Sequence, residues 1–120
     1  MLSKKIHNVR YALNGIKIAW QEEFSFRVQL GAAVLAFFLG WFFKITPSEW
    51  IALTLVMGLV FMAELFNTAL EELCDKYKTD PDPHIGKIKD LSAGAVFLAS
   101  FAAFVVGAIV FIPYLFPSLA

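Results

Sequence analysis

Glu64, Asn67, Glu71 and Asp75 stand three, four and four residues apart, directly after fourteen residues from Trp50 to Ala63 that carry no charge. On a helix leaving an apolar phase, that spacing puts all four on one stripe. Glu64 and Glu71 are then about 10 Å apart along the axis, so one acid meets the apolar boundary and the other meets water. A charged group at the centre of a membrane helix costs roughly 2.5 to 3.5 kcal/mol, less near the interface, and an acid kept there is a functional candidate by default. The plainer alternative is a protonated Glu64 hydrogen bonded to a neighbouring helix.

Glu22 and Glu23 precede the first apolar run, and Lys89 and Asp90 precede the third, so every run meets the same side with an acid. Several carboxylates and a lysine at one interface suit a hard divalent cation that holds phosphate oxygens, because Mg²⁺ takes one or two protein carboxylates plus substrate phosphates. A soluble nucleotide could there be presented to a lipid headgroup. Neither G-x-x-x-x-G-K-[ST] nor G-x-G-x-x-G occurs, so an ATP site must be built from metal, lysines and helix-end backbone. His7 and His84 lack an i, i+4 partner and are expected in loops or on the surface. The single Cys74 is expected to be a small, half-buried packing residue.

The elements that must position these groups belong to a membrane protein. Of the 120 residues, 59% are hydrophobic and 17% charged, well off the averages of soluble domains. Ten basic and ten acidic residues cancel, which offers no basic field for nucleic acid. Three apolar runs predict spans at about 28–45, 50–70 and 91–112. Before them Ile6, Val9, Leu13, Ile16 and Trp20 recur at steps of three and four, which predicts an amphipathic helix over about 4–26. Such a helix lies in the headgroup plane or packs on the protein's own cytoplasmic loop. With three spans, the amino terminus and the 71–90 connection share a side and hold nine of the ten Lys and Arg residues, which puts both in the cytoplasm. Pro47 fits a tight turn between the first two spans, and the segment TDPDPHIGK should interrupt helix before the third. No signal peptide is visible, so the chain is expected to be retained as translated. Thirteen phenylalanines are expected to pack and face lipid, and Trp20, Trp41 and Trp50 lie at span ends where aromatic belts occur.

The run Glu64-Leu-Phe-Asn67-Thr68-Ala69-Leu70-Glu71-Glu72-Leu73-Cys74-Asp75 resembles, position for position, the signature of the small bacterial integral-membrane diacylglycerol kinase and undecaprenol kinase family. Further matches are Tyr11, Gly15, Ala19-Trp20, Glu23-x-x-Phe26-Arg27, Lys89-Asp90 and Ala93-Gly94-Ala95-Val96, so the likeness covers about residues 8–113. It implies an all-α membrane protein, a homotrimer of three-span subunits with a surface helix, in the bacterial cytoplasmic (inner) membrane with active sites facing the cytoplasm. By the same resemblance Glu64 is the general base, and Glu23 and Glu71 are ligands of Mg²⁺. Tyr11, Asp80, Asp82, Lys89 and Asp90, with Glu23 and Glu71, correspond to ATP-contacting positions. Trp20, Arg27 and Asn67 join Glu64 beside the lipid substrate. The loop Asp80-Pro81-Asp82 departs from common family sequences at positions that touch nucleotide.

The ending VFIPYLFP and the Ala93 to Val96 run look more like undecaprenol kinases, with diacylglycerol kinase, making phosphatidic acid, as the alternative. A non-enzyme rival is a trimeric membrane channel or regulatory subunit in which Glu64 titrates. That rival gives no reason for Glu23, Glu71, Lys89 and Asp90.

Overall fold

A computed structural model describes residues 2–77 and 81–119. Four helices follow in order, α1 (Leu2–Glu22), α2 (Phe24–Phe43), α3 (Pro47–Tyr77) and α4 (Pro83–Leu115), and a 3₁₀ turn (Pro117–Leu119) closes the chain. Among the described residues there is no strand. Helices α2, α3 and α4 are each long and apolar enough to cross a membrane.

The ends of the helices come from capping chemistry, and this is why they run past the apolar stretches. The helix expected over 4–26 stops at Glu22 because Glu23 is extended, at φ −114° and ψ 110°. Its amide still bonds Ala19 O at 2.9 Å, but its side chain makes no cap and stays available for other work. α2 ends with Lys44 in the left-handed region at φ 53°, where Lys44 N–H bonds Trp41 O and Ile45 N–H bonds Gly40 O. This is a Schellman closure with lysine in the position that glycine usually takes. Gly40 is required there for a different reason: a Cβ on it would lie 2.8 Å from the Trp50 ring and 3.0 Å from Ile45.

α3 begins on a reciprocal cap. Thr46 Oγ1 accepts from Glu49 N–H at 3.2 Å, Glu49 Oε1 accepts from Thr46 N–H at 2.9 Å, and Pro47 occupies the first helical position. α4 starts at Asp82, whose carboxylate accepts from the amides of His84 and Ile85, with Pro83 next in the chain. The 91–112 run is therefore only part of a helix that begins eight residues earlier, and His84 lies exposed in its first turn, on the surface as expected. At the far end α4 continues through Pro113 to Leu115.

α3 and α4 pack most extensively, and α2 lies against α3. A cluster of buried apolar side chains, Ile45, Leu53, Val110 and Phe111, sits at the end of the bundle opposite Glu64 and Glu71. Tyr114 binds that end together by donating its hydroxyl to Glu49 Oε1 at 2.6 Å. Even so, only 22%, 22% and 17% of the most apolar stretches of α2, α3 and α4 are buried. Their large side chains mostly face outward, and so do those of α1, in which only Ala19 is buried.

Candidate active site

Glu64 lies thirteen residues before the end of α3 and is only 3% exposed. Its Oε2 accepts a hydrogen bond at 3.2 Å from the Ser25 hydroxyl, in the first turn of α2. One turn on, Thr68 bonds back to the Glu64 carbonyl at 2.9 Å. The site is therefore seated where the α1–α2 joint crosses α3.

Two contacts fix that joint. Arg27 Nη1 reaches back to Trp20 O at 2.7 Å and Gln21 O at 3.3 Å, which satisfies carbonyls that the end of α1 leaves open. Phe26, 4% exposed, packs its ring 5.5 Å from that of Phe61 on α3. Held in this way, Glu23 comes into the field of the acids of α3. Burial raises its carboxyl above the ordinary carboxylate range, and the nearby charges of Glu71 and Glu64 raise it further. Glu23, at the head of α2, and Glu64 and Glu71, on α3, thus share one region, and their mutual repulsion is what a cation placed among them would relieve.

Asn67 lies between Glu64 and Glu71 on the stripe and donates its amide to Glu71 Oε1 at 3.3 Å. Its own side-chain oxygen is buried and, among the described residues, has no partner. Asn67 also lines an apolar groove of about 610 Å³ between α3 and α4, with Met62, Phe66, Leu91 and Leu98. Lys89 bonds Asp75 at 2.5 Å and ties the start of α4 to the end of α3. Asp90 faces a second, open groove of about 860 Å³ with Gly86 and Lys87.

The other residues singled out in the sequence lie on α1 or ahead of α4. Tyr11 is 71% exposed on α1, twelve residues and so about 18 Å of helix before Glu23. Trp20 is half-exposed, and its main-chain oxygen is what Arg27 holds. Asp82 caps α4, and Asp80 lies outside the described residues. No group of three or more His, Cys, Asp or Glu side chains set for a metal occurs among the described residues. Cys74 packs as a small apolar residue, and is buried rather than half-buried.

The family model of prokaryotic diacylglycerol kinase matches residues 10–111. The chain belongs to the prokaryotic diacylglycerol kinase family. It is 30% identical over 105 residues to an undecaprenol kinase of Bacillus subtilis (strain 168), covering 88% of this chain and 85% of that protein. It is 32% identical over 98 residues to a diacylglycerol kinase of Haemophilus influenzae, covering 82% and 83%. A diacylglycerol kinase of Synechocystis is 34% identical over 105 residues, which span 87% of this chain and 60% of that one.

Within this prokaryotic diacylglycerol kinase fold, Ser25 is the residue that sequence reasoning passed over. Its partner lies 39 positions away, beyond the reach of any helical spacing. The one local signal is a hydroxyl set between two aromatic side chains, Phe24 and Phe26, at the head of an apolar helix.

Proposed function

We propose that the chain is a Mg²⁺- and ATP-dependent lipid kinase of the bacterial cytoplasmic membrane, phosphorylating a lipid primary hydroxyl, with undecaprenol as the substrate in preference to diacylglycerol. The observation that carries this reading is a buried Glu64 grouped with Glu23 and Glu71, with Asn67, three residues on from Glu64, lining an apolar groove. A greasy alcohol can stay at headgroup depth there while a triphosphate approaches from water. The charge distribution supports a cytoplasmic position for the acidic end. In this reading α1 lies along the headgroups, and the outward apolar faces of the spans meet lipid and the other subunits of a homotrimer.

Glu23 and Glu71 fit Mg²⁺: they are hard oxygen donors close enough to repel each other, and Mg²⁺ needs no more than two protein carboxylates when phosphates complete its shell. When bound, the ion would draw charge off the phosphate oxygens. Asn67 holds Glu71 in orientation. The carboxylate of Glu64 takes the proton of the lipid hydroxyl as its oxygen bonds to the γ-phosphorus. The bond from that phosphorus to the β–γ bridging oxygen breaks, and ADP leaves with the electron pair. Lys89, released from Asp75, neutralises charge on the transferring group. Asp82 supports the nucleotide side by starting α4, while Tyr11 and Asp90 flank it and Trp20 and Arg27 flank the lipid.

The test is purified protein in micelles with Mg-ATP, offered undecaprenol and diacylglycerol separately, following labelled phosphate into lipid. Faster labelling of undecaprenol is expected. Faster labelling of diacylglycerol would reassign the substrate, and transfer to neither would overturn the kinase reading. Glu64→Gln should cut turnover by about 10²- to 10⁴-fold while Mg-ATP binding persists.

A further inference from the structure

The buried acid has a partner that no spacing rule supplies. From the Ser25 to Glu64 hydrogen bond we infer that Ser25 is a positioning residue, holding the Glu64 carboxylate by Oε2 so that Oε1 faces the incoming hydroxyl. The inference rests on Glu64 being the base proposed above.

A serine hydroxyl has one proton to donate, and here it goes to the carboxylate, not to the backbone of its own helix. The terminal torsion of a glutamate is broad and roughly two-fold, so a buried carboxylate without a donor would turn between orientations. One bond removes that freedom and leaves the second oxygen for proton transfer. Among the described residues no other hydrogen bond reaches the Glu64 carboxylate. The donor is itself held in place. Phe26, next in sequence, is buried against Phe61 of α3, three residues before Glu64. Arg27 closes the joint on the other side by binding the carbonyls of Trp20 and Gln21. The first turn of α2 therefore sets the geometry of a base carried by α3.

A merely structural serine and a positioning serine differ in what their loss does to kinetics. Ser25→Ala, Ser25→Thr, Glu64→Gln and the Ser25→Ala, Glu64→Gln double variant would be assayed in micelles for kcat and for KM of Mg-ATP and lipid. Ser25→Ala should lower kcat about tenfold, equivalent to 1.36 kcal/mol. Both KM values should stay within about twofold, since ground-state binding is untouched. Ser25→Thr, which keeps the hydroxyl, should recover most of the rate. On the Glu64→Gln background Ser25→Ala should cost nothing more, because the two side chains act as one unit.

Normal turnover in Ser25→Ala, or an equal loss with and without the Glu64 carboxylate, would overturn the positioning role while leaving the base in place. Normal turnover in Glu64→Gln would instead remove the base, and this inference with it.

Discussion

Asn67 donates to Glu71 at 3.3 Å while its own side-chain oxygen lies buried and, among the described residues, unpaired. Burying an acceptor without a donor costs about 1 to 3 kcal/mol, so the residue is kept at some expense to the fold. A lipid hydroxyl at the mouth of the α3–α4 groove is a donor of the right kind, and the two halves of the amide would then serve the two substrates.

Asn67→Leu separates these roles. It removes the unpaired acceptor, so the thermal midpoint in micelles should hold or rise. It also frees Glu71, so kcat/KM for Mg-ATP should fall by about 10- to 100-fold, as for loss of a residue that orients a metal ligand. A fall in midpoint with unchanged kinetics would contradict both halves.

Arg27→Lys should not be conservative. One nitrogen, Nη1, meets both carbonyls, at 2.7 and 3.3 Å, and a lysine side chain ends one atom short of that position. The bonds are largely solvent-exposed, so the expected loss is modest, about 1 kcal/mol. Turnover should drop further than stability, because the joint also sets Ser25 and Glu23. Thermal melts and kcat measured on the same preparation check this.

Tyr114→Phe gives the opposite pattern. It deletes the 2.6 Å bond to Glu49 at the end of the bundle far from the acids. The bond ties α4 to the start of α3, so the melting midpoint should fall while kcat stays near wild type.

Glu23 gives a pH dependence with a definite sign. Its carboxyl titrates above its ordinary value of 4.5 in the folded protein, through burial first and then through Glu71 and Glu64. The folded state thus holds this proton more tightly than the unfolded chain. Stability from this group is full below about 4.5 and is lost as pH rises through the raised value. Melts across the acidic range should show wild type losing stability relative to Glu23→Gln. Mg²⁺ should restore it above that window and do little below.

Much of this arrangement is written in short-range pattern. The 64, 67, 71, 75 stripe follows from helical spacing, and the three apolar runs mark the three long helices. The ends of those helices follow other rules. Thr46-x-x-Glu49 and Asp82-Pro83 are capping signals readable in sequence, and they carry helix well beyond what hydropathy marks. The break at Glu23 has no glycine or proline to announce it. Pairs such as Ser25 with Glu64 and Glu49 with Tyr114 join residues 39 and 65 apart, and only tertiary packing brings them together.

So little of each long helix is covered by its neighbours that the surrounding hydrocarbon acts as part of the fold's interior. Acyl length and detergent choice then become structural variables: a thinner slab would expose flank residues of α3 and α4, tilting them and shifting the carboxylates they carry. Two laboratories using different micelles would in effect be studying differently completed proteins.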